Sequence, residues 1–168
     1  YLLLCQDDLQ DLGRFKMNPP LRNKDDQEAL LAGLLDGTID MIATDHAPHS
    51  AEEKAKGLRG SAMGVVGIET AFPLLYTYLV ETGKMPLEML IDRMADAPRR
   101  RFRIDGGMQV GDKAAVTVFD LHAQEKIDPN TFLSKGRATP FEGWKVHAAC
   151  RLTICGDKIA YNALSRKE

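Results

Sequence analysis

The stretch "TIDMIATDHAPHS", Thr38–Ser50, decides how this chain is read. Its first part, Thr38–Thr44, is rich in Ile, Thr and Met, and the apolar run stops at Asp45. Near-continuous apolar strands belong to parallel sheets covered by helices. Thr38–Thr44 is therefore expected as a short, largely buried strand. In parallel α/β proteins the reactive groups sit at the C-terminal ends of strands, which is the place Asp45 would occupy.

Working outward, "NKDDQEALLAGLLDG" precedes this strand as a punctuated helix. Asn23 can cap it, and Asp25 and Asp26 fall in the first turn, where the helix dipole favours negative charge. Leu30, Leu31, Leu34 and Leu35 share one face at helical spacing. Gly37 suits a left-handed C-terminal position. A helix running into a buried strand is one α/β step. After it, residues 46–67 read as a long loop rich in small and charged residues, and such loops often carry function.

Two helices are expected next. "IETAFPLLYTYLVETG" must hold Pro73 near its first turn, and "PLEMLIDRMADAP" starts at Pro86 and must end by Pro98. The texture changes after "RRRFRIDGG". "AAVTVFDL" and "KVHAACRLTICGDKIAYN" are β runs with Gly-Asp turns. A boundary is placed near residue 101. The run Arg99, Arg100, Arg101 and Arg103 could hold phosphate, but a solvated linker after a helix C-terminus accounts for it as well.

Composition narrows the function classes. The chain has 168 residues, 44% of them apolar, and a net charge of −2 with both signs well mixed. Nucleic-acid and membrane-surface proteins need a basic excess, which is absent. No apolar run reaches the roughly 18 residues that span a bilayer. Cys5, Cys150 and Cys155 form no C-x-x-C pair, which fits reduced thiols and a cytoplasmic protein. The opening "YLLLC" has no cap or polar lead-in and reads as the end of an element, so a fragment or a cleaved product is expected.

Two stretches carry candidate chemistry. At the strand end, Asp45 could ligate a metal and could also take a proton from metal-bound water, whose pKa a metal lowers to about 7. The plainer reading makes Asp45 a turn cap and His49 a surface histidine. His46 and His49 lie three apart, yet two histidines and one aspartate do not close a zinc site. His122 and His147 read as ordinary strand or surface residues. Upstream, "KMNPPLR" combines Asn18 and Arg22 with two prolines that stiffen the loop. It could hold a carboxylate or amide substrate, or simply lead into the Asn23 helix.

Together these stretches are specific. "ATDHAPHSAEEK" resembles a signature of dihydroorotases: Asp, any residue, Ala-Pro-His, four residues, then Lys. "KMNPPLR" lies at the family's distance, 27 residues from Asn18 to Asp45 (45 − 18). "GIETAFPLLYT" and "FLSKGRATPFEGW" also look like family segments. The resemblance covers nearly the whole chain and only the C-terminal part of the family's sequence.

The resemblance implies an amidohydrolase with two zinc ions in each complete site. The expected fold is α/β: the C-terminal part of a (β/α)₈ barrel, incomplete here, with a small flanking β domain. Residues 1–100 would be the barrel segment with its eighth strand, and residues 101–168 the β-sandwich-like domain. The implied reaction is the reversible interconversion of N-carbamoyl-L-aspartate and L-dihydroorotate in pyrimidine biosynthesis. Asp45 matches the aspartate that ligates zinc and moves the proton. Asn18 and His49 match residues that hold the substrate, and Met63 and Gly64 match a pair whose backbone touches the ring.

The family's His-x-His, its metal-bridging carboxylate and its other metal-binding histidines are absent. The chain alone is therefore expected to be inactive without an N-terminal barrel portion as its partner, with a homodimer or a transcarbamoylase association as further partners. The alternatives are a non-catalytic assembly partner and another cyclic amidase of the hydantoinase or allantoinase kind.

Overall fold

In a computed structural model, residues 1–106 and 108–164 are described. Gly107 and the last four residues of the segment expected as the β domain lie outside them. The chain is α/β and falls into two compact units: Tyr1–Phe72 with Lys126–Lys145, and Pro73–Glu125 with Val146–Glu168.

The first unit is built around helix α1, Lys24–Asp36. It starts where a cap was expected: the Asn23 side chain accepts the Asp26 amide at 2.8 Å. It stops at Gly37, whose φ of 87° is left-handed. Of its leucine face only Leu34 is buried, at 3% exposure, whereas Leu30 and Leu35 are each 38% exposed. Leu4, Phe15, Leu21, Val66 and Ile127 are buried in the same unit.

The strand expected at Thr38–Thr44 is not formed. Among the described residues this stretch carries no strand pairing, and the nearest pairing is an isolated parallel bridge between His46 and Val65. An apolar extended sequence becomes a strand only when a neighbour takes its N–H and C=O groups. Among the described residues no neighbouring strand does so here.

The stretch expected as one long loop holds two short helices, α2 (Ala51–Lys54) and α3 (Gly57–Gly60). A capping box starts α2. The Ser50 hydroxyl accepts the Glu53 amide at 3.2 Å, and the Glu53 carboxylate accepts the Ser50 amide at 2.9 Å.

The second unit opens with α4 (Ala71–Leu75), which widens into a π segment, Tyr76–Val80. Pro73 lies in the first turn, where its missing N–H costs nothing. Helix α5 (Leu87–Ile91) follows Pro86. It does not end by Pro98, as the sequence suggested. A second π segment, Asp92–Asp96, carries it into α6, Ala97–Phe102. The amide of Ala97 reaches back five residues to Asp92, so the proline falls at the start of a fresh α turn. Leu79, Met85 and Leu90 are almost completely buried among these helices.

The arginine run has a structural account within this unit. The Arg99 guanidinium donates to the carbonyls of Gly106 at 2.7 Å and Ala115 at 3.3 Å. Arg100 pairs with Asp92 at 2.7 Å. Strands β1 (Ala115–Lys126), β2 (Lys145–Cys155) and β3 (Lys158–Asn162) form a sheet in the order β1-β2-β3. β2 and β3 run antiparallel, with Cys155 opposite Lys158 across a turn at Gly156, φ 64°.

Candidate functional site

Asn18, Asp45, His49, Met63 and Gly64, the five candidate site residues, all lie in the first unit. The backbone at residues 46–47 runs beside Val65, with the Ala47 amide donating to the Val65 carbonyl at 3.0 Å. His49 Nε2 is 2.8 Å from the Met63 carbonyl, so it carries the ring proton and donates it. The Gly64 amide donates to the Lys16 carbonyl at 3.0 Å, which ties this strip to the Asn18 loop.

Gly64 is required where it stands. Its φ is +131°, and a Cβ there would lie 2.6 Å from the Ala47 Cβ and 3.1 Å from His49 Nε2. Only a residue without a side chain lets the two backbones approach this closely. Gly136 repeats the device, since its Cβ would meet Pro48 Cβ at 2.6 Å. The "FLSKGRATPFEGW" segment therefore closes over the Pro48–His49 turn.

Asp45 is exposed and has a left-handed backbone, φ 48°. That region costs an ordinary L-residue about 1–2 kcal/mol, and aspartate and asparagine tolerate it best. Asp45 does not cap the following helix, because Ser50 does. The Tyr1 hydroxyl donates to the Pro19 carbonyl at 2.6 Å. Burial first, and then the Asp45 carboxylate, push the Tyr1 phenol above its ordinary value. Asp45 and the Asn18–Pro19 turn thus share the neighbourhood of one phenol.

Asn18 itself is exposed. Arg22, the other polar candidate of that loop, is engaged by Asp26 at 3.1 Å in an exposed ion pair. Met63 is 55% exposed, and its carbonyl is taken by His49.

His46 has a role that spacing did not suggest. Its Nδ1 accepts the amides of Gly67 at 3.1 Å and Ile68 at 3.3 Å. The ring proton then sits on Nε2, 3.4 Å from the Ser134 hydroxyl. Ser134 is held in turn by Glu69, whose carboxylate accepts the Leu133 and Ser134 amides at 2.9 Å each. His46 therefore locks the peptide that follows Asp45. His147 belongs to the second unit, where Nδ1 lies 2.7 Å from the Glu81 carboxylate.

Lys54 closes the motif that begins at Asp45. It is 8% exposed, and its ammonium donates to three carbonyls: Lys16 at 3.1 Å, Ala62 at 2.7 Å and Gly64 at 2.7 Å. Burial, with Lys16 as the smaller cause, pushes its pKa down. The signal available in sequence was a lysine at fixed distance from the Ala-Pro-His run. What it binds could not be read there.

Among the described residues no group of three or more His, Cys, Asp or Glu could hold a metal ion. Asp45 is a single donor, and a zinc site takes three or four. The described residues do not by themselves fit a zinc centre. What they assemble is an exposed carboxylate beside a strip of fixed polar backbone.

No family model matches the chain. It is 55% identical over 163 residues, 96% of its length, to dihydroorotase from Anoxybacillus flavithermus. The corresponding figures for dihydroorotase from Bacillus cytotoxicus are 53% and 96%. The chain spans only 38% of the length of each of these relatives. Among solved structures it resembles the L-hydantoinase (dihydropyrimidinase) from Arthrobacter aurescens, with a TM-score of 0.87 and 31% identity over 97% of this chain and 38% of that one. A D-hydantoinase from Thermus sp. aligns with a TM-score of 0.79 and 27% identity, over 90% of this chain and 34% of its own.

Proposed function

We propose that this chain, by sequence a member of the dihydroorotase family, supplies the C-terminal portion of a cytoplasmic cyclic amidohydrolase. Residues 1–100 would complete a (β/α)₈ barrel, and residues 101–168 would form its flanking β domain. The reaction is the reversible conversion of N-carbamoyl-L-aspartate to L-dihydroorotate, a step of pyrimidine biosynthesis. The observation that carries this reading is the strip in which His49, Met63, Gly64 and Lys16 are hydrogen-bonded together beside Asp45. Residues from two distant motifs meet there.

In the hydrolytic direction water adds to the ring carbonyl carbon, and the carbon–nitrogen bond of the cyclic amide breaks. Asp45 accepts the proton that the attacking water loses and delivers it to the departing nitrogen. A base positioned in this way typically adds about 10²- to 10⁴-fold. Cyclisation runs the same transfers backwards. Asn18 and His49 hold the acidic substrate. With its Nε2 committed to Met63 and its Nδ1 facing the Glu53 carboxylate at 3.7 Å, His49 acts on the substrate through the Met63–Gly64 strip that it holds. The Met63–Gly64 backbone forms the wall against the ring.

Zinc dependence, in this reading, rests on ligands outside these 168 residues, with Asp45 as one donor. The exposed Leu30 and Leu35 are the surface on which the rest of the barrel would close. The likeness to L-hydantoinase favours a second reading, a broader cyclic-amide substrate. The identity of 31% against 55% weighs for dihydroorotate.

The test joins this chain to the N-terminal portion of a dihydroorotase and measures both directions, with zinc content determined alongside. Dihydroorotate should be opened and N-carbamoyl-L-aspartate closed, with hydantoin a poor substrate. Zinc should survive dialysis against a chelator in the assembly and not in the chain alone. An assembly that holds zinc but turns over neither compound would leave the chain as a non-catalytic assembly partner.

A further inference from the structure

We propose that Lys54 is a positioning residue. Its buried ammonium converges on the carbonyls of Lys16, Ala62 and Gly64, and so sets the spacing between the Asn18 loop and the Met63–Gly64 strip. This rests on the reading above that Asn18, Met63 and Gly64 face the substrate.

An ammonium has three donors and no acceptor, arranged in a tetrahedral fan. A charge taken out of water is tolerated only when every donor finds a partner. Lys54 meets that condition with three backbone oxygens, at 3.1, 2.7 and 2.7 Å. The oxygens come from two separate loops. Lys16 stands two residues before Asn18, and Ala62 and Gly64 flank Met63.

The arrangement forms a closed circuit. Gly64 donates its amide to the Lys16 carbonyl, Lys54 donates to that same carbonyl, and Lys54 also donates to Gly64. Lys16 and Gly64 are thus tied both directly and through the ammonium. Without Lys54, Ala62 and Gly64 lose an acceptor role in a place poor in water. The direct bond between Gly64 and Lys16 would then have to hold the two loops alone.

Helix α2 sets where the ammonium sits. Its capping box at Ser50 and Glu53 fixes the first turn, and the Ala62 amide donates to the Glu53 carbonyl at 3.1 Å. The side chain therefore starts from a backbone already joined to one of the loops it holds. His49, at the other end of the same turn, reaches Met63. A single short helix thus holds the 62–64 strip from both sides.

The test uses Lys54→Met, which keeps the length of the side chain and removes its donors. Amide hydrogen exchange is followed in the 168-residue chain and in the assembled enzyme, and steady-state kinetics in the latter. Exchange at Gly64 should quicken about tenfold, while the amides of β2 and β3 keep their rates within about twofold. KM should rise about tenfold with kcat changed by less than about threefold.

Lys54→Arg keeps the charge but spreads its donors in one plane. It should recover part of both losses, and it carries the same two readouts should Lys54→Met fail to fold. Unchanged exchange at Gly64 overturns the proposal. So does equal quickening in β2 and β3, which would make Lys54 a general stability residue, and so does a loss confined to kcat. If the unsubstituted assembly has no activity, the reading of function fails, and the exchange measurement still judges the clamp.

Discussion

Each of the two units of this chain is held together internally by its own kind of contact. In the second, the most deeply buried large side chains, Leu79, Met85 and Leu90, lie within about a dozen residues of one another, on two successive helical segments and the connection between them. Its β2–β3 pair closes through a two-residue turn. In the first, the ties that matter span the chain. Lys54 reaches Lys16, 38 residues away, Ser134 meets His46 across 88, and Arg14 pairs with Glu142 across 128. Periodic packing builds a scaffold from near neighbours. A site that must hold a small polar molecule needs groups from several loops, and polar side chains bonded to backbone supply them.

The sharpest contrast should come from Asp45→Asn in the assembled enzyme. The substitution preserves shape and removes the base, so kcat should fall at least about 100-fold. His147→Ala, which breaks the Glu81 pair of the second unit, should leave kcat within about twofold. Near-normal kcat in Asp45→Asn at full zinc content would remove Asp45 from the proton transfer.

Glycine substitutions separate close approach from backbone strain. Gly64→Ala brings a Cβ to 2.6 Å from Ala47 at a φ of +131°, and it should cost about 2–3 kcal/mol in urea unfolding. Gly83, in the second unit, has a φ of +73° and nothing within 4 Å of its would-be Cβ. Gly83→Ala therefore carries only the left-handed penalty, about 1 kcal/mol. Equal losses at the two positions would mean that the contact with Ala47 relaxes freely.

His49→Ala and Asn18→Ala should act mainly on binding. Each removes a group that holds the substrate in the ground and transition states alike, so KM should rise about tenfold while kcat falls less than in Asp45→Asn. Steady-state titrations in both directions check this. A kcat loss as large as that of Asp45→Asn would place the residue in the chemistry instead.

The smallest effect concerns acid. The amide and hydroxyl of Ser50 hold the Glu53 carboxyl below its ordinary value of 4.5. A carboxylate lowered on folding stabilises above the unfolded pKa and loses that contribution as pH falls through its folded value. The stability gap between the wild type and Glu53→Gln should therefore be full near neutrality and close in acid. Asp120 gives the second unit a matching case, since the amide of His122, more than Arg151, lowers it. Acid titrations of Glu53→Gln and Asp120→Asn should bend in the same direction, and a gap that widens in acid would contradict the assignment.

These contrasts also mark what could be read from residue order. Helix α1 was legible from its cap at Asn23 to its stop at Gly37, and the β2–β3 hairpin from its Gly-Asp turn. Each depends on groups only a few residues apart. The strand that the apolar run Thr38–Thr44 suggests does not form, because a strand is defined by a neighbour rather than by its own residues. The passage of α5 through Pro98 is not legible in residue order, because a π turn changes which amide needs a partner. The Ser50–Glu53 capping box is local too, and its Ser-x-x-Glu spacing is present in the sequence inside a stretch otherwise composed like a loop.

By itself the sequence determined the residue types of the site: Asp45 after an apolar run, His49 four residues on, and Asn18 in a proline-stiffened loop. Only the tertiary structure decided what joins them. It turned His46 into a lock between Gly67, Ile68 and Ser134, Ser50 rather than Asp45 into the helix cap, and Lys54 into a clamp on three carbonyls. The reason is physical. A cap or a turn is satisfied within three or four residues, whereas a buried ammonium takes whichever oxygens the path of the chain brings within 3 Å.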